Sequence, residues 1–107
     1  MSLRLGVLAS GSGTNLQALL DTVHGREVEI VAVASDQPHA RALTRASDAG
    51  VPTRVFALDD FGSRQERDDA IAAWLRESGV ELVVLAGYMR LISPSFLAAF
   101  PRRVINV

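Results

Sequence analysis

The sequence contains no cysteine and no lysine, and each absence excludes a class of chemistry. Without cysteine there is no disulfide, no thiol nucleophile and no zinc–thiolate site. Without lysine there is no Schiff-base mechanism and no Walker-type phosphate loop, because both depend on a lysine amine. All eleven basic residues are arginines, which favour planar, two-pronged contacts with carboxylates and phosphates.

An excess of charge and a long apolar run are also missing. The formal net charge is -1 at pH 7 and there is no basic block, so the sequence does not predict attraction to nucleic acid or to an anionic membrane. No stretch approaches the ~18 apolar residues of a membrane span, and the apolar start is too short for a signal peptide. We therefore expect a cytoplasmic protein whose partners are small molecules, not nucleic acid or membranes.

The remaining composition is that of an ordinary globular domain. The chain has 107 residues, of which 49% are apolar and 21% are charged. This length supports one domain with one modest core. Because the sequence has no repeat, linker or low-complexity segment, we expect residues 1–107 to form a single unit.

Apolar runs and turn signals alternate along the chain and predict five strands separated by four helical segments. The predicted strands are residues 3–9, 28–34, 52–57, 82–86 and 103–107. The predicted helices follow the first strand and then cover residues 39–49, 63–79 and 94–100. This order is typical of an α/β fold with a doubly wound, Rossmann-like parallel sheet. With the first strand central, the ligand crevice falls between the first and fourth strands.

Signals at helix ends support these boundaries. Ser63 and Glu66 fit a capping box, with Ser63 as N-cap and the Glu66 side chain reaching back. Pro94 is typical of a first helical position, with Ser93 as its cap. Gly50 is typical of the residue that follows a helix end.

The loop after the first strand, residues 10–15, reads Ser-Gly-Ser-Gly-Thr-Asn. Small residues let backbone amides converge, and the start of the next helix adds partial positive charge, so the loop can bind a phosphate without a lysine. The expected donors are Gly13, Thr14 and Asn15. The loop alone is equally compatible with a simple glycine turn in which Thr14 or Asn15 is the N-cap.

The same loop also fits an incomplete dinucleotide-binding fingerprint. Leu16 stands where the third glycine would be, and its side chain opposes the close contact between helix and strand. Asp36 ends the second strand, where a ribose-binding acid is found in such folds. Its place near Pro38 favours a turn residue instead. A nicotinamide-dependent dehydrogenase is therefore a distant alternative.

The loop after the fourth strand begins at Gly87, which lets backbone approach a ligand, and ends at Pro94. Met89, Leu91 and Ile92 can line an apolar slot for a flat heterocycle. Without further context, Met89 and Ile92 also fit simple core positions.

Two arginines lie where an anionic partner is expected. Arg90 stands between apolar residues at the carboxyl end of a strand and needs an anionic partner or an exit to water. Arg64 lies in the first turn of the third helix, where the helix dipole opposes a cation. An anionic ligand explains Arg64, and so does a solvated side chain beside Glu66.

The other polar candidates favour plain surface positions. His24 and His39 are interpreted as surface residues, and no pair has the spacing of metal ligands, so we expect no metal site. The acidic pair at 59–60 is assigned to a loop and the pair at 68–69 to a solvated helix face.

With both loops placed, the sequence resembles the phosphoribosylglycinamide formyltransferases, the folate-dependent transferases of purine biosynthesis. The similarity runs along the whole chain and rests on residues 11–17, 63–64, 85–94 and 105–106. It implies that Gly13, Thr14 and Asn15 bind the phosphate of glycinamide ribonucleotide. The formyl donor would be 10-formyltetrahydrofolate, without a metal. The residues expected to contact the donor are Arg64, Met89, Arg90, Leu91, Ile92 and Asn106.

The resemblance also implies a catalytic residue. Asn106 would polarise the formyl carbonyl and stabilise the oxyanion that forms when the substrate amine attacks. In this family a His follows Asn-x and a later Asp sets its protonation, whereas this sequence ends at Val107. We therefore expect the amino-terminal half of the enzyme, with the carboxy-terminal catalytic half absent and with little activity of its own.

Several alternatives stay open. One is another enzyme that uses formyltetrahydrofolate, either a deformylase or a transferase that acts on initiator tRNA. Another is a non-catalytic nucleotide-binding module. A homodimer is compatible with each of these interpretations.

Overall fold

Five strands and four α-helices alternate along the chain in the computed structural model, which describes residues 2–107. The strands are β1 (Leu3–Leu8), β2 (Val28–Ser35), β3 (Thr53–Val55), β4 (Leu82–Leu85) and β5 (Val104–Asn106). The helices are α1 (Thr14–Thr22), α2 (Arg41–Asp48), α3 (Arg64–Glu77) and α4 (Pro94–Ala99). A short 3-10 turn covers Leu58–Asp60.

The strands form one parallel sheet in the order β3-β2-β1-β4-β5. This confirms the predicted doubly wound α/β fold, and β1 is central, as was assumed in placing the crevice. The connections leave β1 toward β2 on one side, and β4 lies on the other side. The point where the winding direction changes is therefore between β1 and β4, and crevices for ligands form there in such sheets.

Side chains of β1 are buried on both faces of the sheet. Leu5 and Val7 belong to the core layer that contains Leu16 of α1. Leu8 belongs to the opposite layer, together with Leu75 of α3. Burial on both faces explains why residues 5–9 read as a continuous apolar run and not as an alternating one.

The predicted capping residues of α3 and α4 are present, with one difference in a hydrogen-bond partner. Ser63 Oγ accepts a hydrogen bond from the Glu66 amide at 3.1 Å, and Ser93 Oγ accepts one from the Phe96 amide at 3.3 Å. Pro94 opens α4 as expected. The Glu66 carboxylate, however, accepts from the amide of Gly62 at 3.1 Å, one residue before the expected partner.

Helix α2 is shorter than predicted, because its expected first residues lie in a turn. The Ala40 amide donates to the Gln37 carbonyl at 3.2 Å, and Ala40 is the N-cap. The far end agrees with the prediction, since Gly50 follows the helix with φ +77. Within residues 2–107, no helix is long and apolar enough to cross a membrane.

Candidate ligand-binding crevice

The glycine loop and the loop that follows β4 face each other across one cavity. Its volume is about 540 Å³, and it lies at the carboxyl ends of β1, β2 and β4. Its lining residues are Ser10, Gly11, Ser12, Gly13, Thr14, Asn15, Asp36, Gln37, Ala86, Gly87, Met89 and Arg90. The structure therefore brings together two loops that are separated by about seventy residues in sequence.

The glycine loop leads directly into the N-terminus of α1. Gly13 is the N-cap, and no side chain caps the helix, so the alternative with Thr14 or Asn15 as N-cap is wrong. The amides of Thr14 and Asn15 have no partner within the helix, because the first turn of any helix leaves its amides free. Both residues are exposed and line the cavity. Free amides and the helix dipole together form a setting for an anion.

Gly13 has a backbone conformation that its surroundings restrict to glycine. Its φ is +76, a region that side chains disfavour. A Cβ built there would lie 2.6 Å from the Cα of Ala42, which is backbone and cannot move aside easily. The loop can approach α2 this closely only because the residue is glycine.

The loop after β4 presents apolar side chains to solvent. Met89 is 80% exposed and Leu91 is 74% exposed, so the interpretation of Met89 as a core residue is wrong. Ile92 is half-buried and packs against the core layer of α3 and α4. Exposed large apolar side chains beside a cavity are typical of a ligand surface.

Arg90 has an anionic partner, which is Asp36. Arg90 Nε donates to Asp36 Oδ2 at 2.7 Å. Asp36 does lie in the turn after β2, but its side chain is buried, with 4% of the residue exposed. The interpretation of Asp36 as a plain turn residue therefore missed its contact. The sequence indicated that Arg90 needs an anionic partner, but it did not indicate that Asp36 is this partner.

Several groups keep Asp36 ionised. Burial by itself raises the pKa of the Asp36 carboxyl. The nearby Ser10 hydroxyl, the Arg90 guanidinium and the Gln37 side chain outweigh burial and hold this pKa below its usual value. The charge of Asp36 at neutral pH therefore fixes the guanidinium of Arg90 at the edge of the cavity.

Ser10 joins the two loops through hydrogen bonds. Its hydroxyl accepts from the Met89 amide at 2.8 Å, and its own amide donates to the Gly87 carbonyl at 3.3 Å. The residue is buried. The walls of the cavity are thus attached to each other at its base.

Asp68 is buried, so its assignment to a solvated helix face is wrong. It is 0% exposed and accepts from Nε and Nη2 of Arg67 at 3.2 Å each. Its other oxygen accepts from the Ser93 amide at 2.7 Å and so holds the end of the loop after β4. The spacing of Asp68 to Ile71 and Leu75 places all three on one helix face, and this signal could have predicted the burial. Asp69, one residue later, is exposed as expected.

The Tyr88 hydroxyl is buried and has no hydrogen-bond partner within residues 2–107. Burial raises the pKa of Tyr88 to about 12, while nearby Arg67 lowers it and Asp68 raises it. Sequence reasoning assigned no role to this residue. Its neutral phenol fills space beneath the exposed part of the loop and packs against the core layer of α3 and α4.

We expect Tyr88→Phe to leave the free energy of unfolding unchanged or to raise it by about 1 kcal/mol, because an unpaired buried hydroxyl is costly.

The pKa of Tyr88 is higher in the folded state than the unfolded value of about 10. The stability contributed by the neutral phenol is therefore complete below about pH 10 and is lost as the pH rises toward 12. Urea unfolding of the unmodified protein and of Tyr88→Phe, at neutral and at alkaline pH, measures both effects on the free energy of unfolding. A loss above about 1 kcal/mol at neutral pH would contradict the unpaired hydroxyl.

A second cavity adjoins the first and contains the remaining arginine candidate. Its volume is about 430 Å³, and its lining residues are Leu58, Arg64, Arg67, Met89, Arg90 and Leu91. Met89 and Arg90 line both cavities. Asn106 lines neither. It is exposed at the end of β5, where its register partner is Leu85 of β4.

The two histidines differ from each other. His39 is exposed as expected. His24 is half-buried, and its Nδ1 accepts from the Ile30 amide at 2.9 Å, so it is not a plain surface residue. Across residues 2–107, no group of three His, Asp or Glu side chains is placed to hold a metal ion.

Comparison with known protein families decides what this chain is. The family model described as formyl transferase matches residues 3–107. The chain belongs to the formyl transferase family. The parallel sheet and the crevice between β1 and β4 are therefore features of a formyltransferase fold.

The individual relatives have names that are more specific than the description of the family. Phosphoribosylglycinamide formyltransferase of Haemophilus influenzae is 39% identical over 97% of this chain, which covers 50% of that protein. The trifunctional purine biosynthetic protein adenosine-3 of Gallus gallus is 40% identical over 97% of this chain, which covers 11% of that protein. A crystal structure of glycinamide ribonucleotide transformylase 1 from Symbiobacterium toebii has a TM-score of 0.94 and 45% identity, over 98% of this chain and 50% of that one. The formyltransferase chain thus spans about half the length of its bacterial relatives.

Proposed function

We propose that this chain is the amino-terminal part of a glycinamide ribonucleotide formyltransferase of purine biosynthesis. The enzyme transfers a formyl group from 10-formyltetrahydrofolate to the substrate's primary amine, acts in the cytoplasm and uses small molecules as substrates. The observation that carries the proposal is the cavity between the glycine loop and the loop after β4, in a chain that is 39% identical to a bacterial enzyme of this activity.

The phosphate of the ribonucleotide would bind at the start of α1. Gly13, Thr14 and Asn15 line the cavity and lie where the free amides of the first helical turn meet the partial positive charge of the dipole. This site works without lysine, which the sequence lacks. Because the chain has almost no net charge to attract an anion from a distance, a phosphate must be held by nearby groups such as these amides.

The folate would bind along the loop after β4. Exposed Met89 and Leu91 suit the flat apolar part of the molecule, and Ile92 would support them from the core side. Arg64 and Arg90 line the adjoining cavity and suit the carboxylates of the glutamate tail. The bond to Asp36 uses only Nε of Arg90, and a guanidinium has four further N–H donors for a ligand.

Asn106 would act on the reacting carbonyl. It lies at the carboxyl end of β5, beside the end of β4 from which the folate loop starts. Its amide would donate a hydrogen bond to the formyl oxygen as negative charge develops there. One such donor lowers the activation barrier by on the order of 3 to 4 kcal/mol. The amine forms the new bond to the formyl carbon, the bond from that carbon to the folate nitrogen breaks, and the amine's proton passes to the released nitrogen.

The experiment is a formyl-transfer assay of the full-length protein that contains this chain. Glycinamide ribonucleotide, initiator tRNA and water are compared as acceptors. We expect transfer to the ribonucleotide, and we expect Asn106→Ala to lower kcat by about 10² to 10³. Transfer to tRNA or to water, with none to the ribonucleotide, would contradict the proposal. We further expect residues 1–107 alone to be nearly inactive, because the general acid and base would lie in the remainder of the protein.

A further inference from the structure

Helix α2 holds the glycine loop from the side opposite the cavity. The Ala42 amide donates to the Gly11 carbonyl at 3.2 Å. Nε of Arg45 donates to the next carbonyl, that of Ser12, at 2.7 Å. Two consecutive carbonyl groups of the loop are therefore bound by α2.

These two bonds determine where the following amides point. A peptide group is planar and trans, so its N–H is directed opposite to its C=O. Because the carbonyls of Gly11 and Ser12 point toward α2, the amides of Ser12 and Gly13 point away from it. Both residues line the cavity on that other side. The bonds from α2 thus orient the amides of Ser12 and Gly13 toward the cavity.

Arg45 also connects the loop to α1. Its Nη1 donates to the Gln17 side chain at 3.2 Å, and its Cδ lies 3.1 Å from the position that a Cβ on Gly13 would occupy. Arg45 is half-buried and does not line the cavity of the glycine loop. Arg45 therefore contacts the glycine loop only on the side that faces away from the cavity.

We infer that Arg45 is a positioning residue for the phosphate site, and this inference rests on the proposed function. Arg45 does not touch the substrate. It holds the Ser12 carbonyl away from the anion and connects the loop to Gln17 in the first turn of α1. It also places a positive charge on the side of the loop that faces away from the cavity. Without it, the Ser12 peptide group is free to turn and present its carbonyl oxygen to the phosphate, which repels it.

The chain offers a matched control in Arg41. Arg41 lies four residues earlier on the same helix, carries the same charge and is exposed. Both arginines line one further cavity, which is lined by residues of α2, Ala49 and Gln17 of α1. A comparison of Arg45→Ala with Arg41→Ala in the full-length protein therefore separates the hydrogen bond to the loop from a general loss of charge.

The measurements are the Kd of inorganic phosphate, followed by the amide resonances of the glycine loop, and the steady-state constants of formyl transfer. For Arg45→Ala we expect Kd and the KM of the phosphorylated amine to rise about tenfold, the loss typical of one charge-assisted hydrogen bond. The kcat, the KM of the formyl donor and the kcat/KM of a dephosphorylated acceptor should stay within about twofold. Arg41→Ala should change none of these, and Arg45→Lys should recover part of the phosphate affinity.

The outcomes separate this inference from the proposal on which it rests. If the unmodified protein transfers formyl groups and binds phosphate, equal phosphate affinities of Arg45→Ala and Arg41→Ala overturn the role of Arg45. An equal loss with phosphorylated and dephosphorylated acceptors also overturns it, because that pattern reports general damage to the fold. If the unmodified protein neither transfers formyl groups to the ribonucleotide nor binds phosphate, the proposed function itself is wrong.

Discussion

Asp68→Ala is expected to lower the free energy of unfolding by about 3 to 5 kcal/mol, the range measured when one partner of a buried ion pair is removed. The substitution leaves the guanidinium of Arg67, which is 1% exposed, without its carboxylate. It also removes the acceptor of the Ser93 amide, which is bound at 2.7 Å. Urea unfolding of the full-length protein measures the loss.

Asp69→Ala is the matched control for this effect. Asp69 is the next residue on α3, carries the same charge and is exposed, and its carboxylate accepts from the Ser95 hydroxyl at 3.0 Å. Its removal should cost less than about 1 kcal/mol, as for most surface positions. If the two variants unfold at the same urea concentration, the buried pair is not a stabilising contact.

Gly13→Ala is the second change for which we expect a large effect. The left-handed backbone at φ +76 costs a side chain about 1 to 2 kcal/mol. The contact of 2.6 Å between the new Cβ and the Ala42 Cα adds the cost of overpacking, about 1 to 3 kcal/mol. We expect a total loss of about 2 to 5 kcal/mol and a weakened affinity for inorganic phosphate, because the loop must move away from α2.

Gly11→Ala provides the control within the same loop. A Cβ at Gly11 meets nothing within 4 Å, and this glycine does not have a positive φ. Its effect on the free energy of unfolding should therefore be small. Thermal unfolding of both variants makes the comparison. Equal losses at the two positions would contradict the specific requirement for glycine at residue 13.

Most of the fold could be predicted because its signals are local. Buried parallel strands appear as short apolar runs, and glycine, proline and small polar residues mark their ends. The rule for right-handed crossovers then determines the face of the sheet on which each helix packs, whereas the order of the strands was assumed from the doubly wound pattern. The boundary at Arg41 was less predictable, because His39 fits either a helix or the turn that it joins in the structure.

The candidate site was predictable as two loops but not as a set of contacts. The glycine loop could be found from its small residues, and its place at the start of α1 follows from the strand before it. The bond between Arg90 and Asp36 joins residues 54 positions apart, and that between Ser93 and Asp68 joins residues 25 apart. Neither pairing has a local signal in one sequence. The burial of Asp68 could have been predicted, because its spacing to Leu75 places both residues on the same face of α3, although a charged residue is usually exposed.

The central position of β1 determines when this protein can begin to fold on the ribosome. Leu5 of β1 pairs with Leu82 of β4, so one edge of the first strand stays unpaired until that part of the chain has been synthesised. At typical elongation rates this interval is roughly 4 to 15 s. During this time an apolar strand with free hydrogen-bonding groups is exposed. The pairing of β1 on this edge is therefore completed only after β4 has been synthesised.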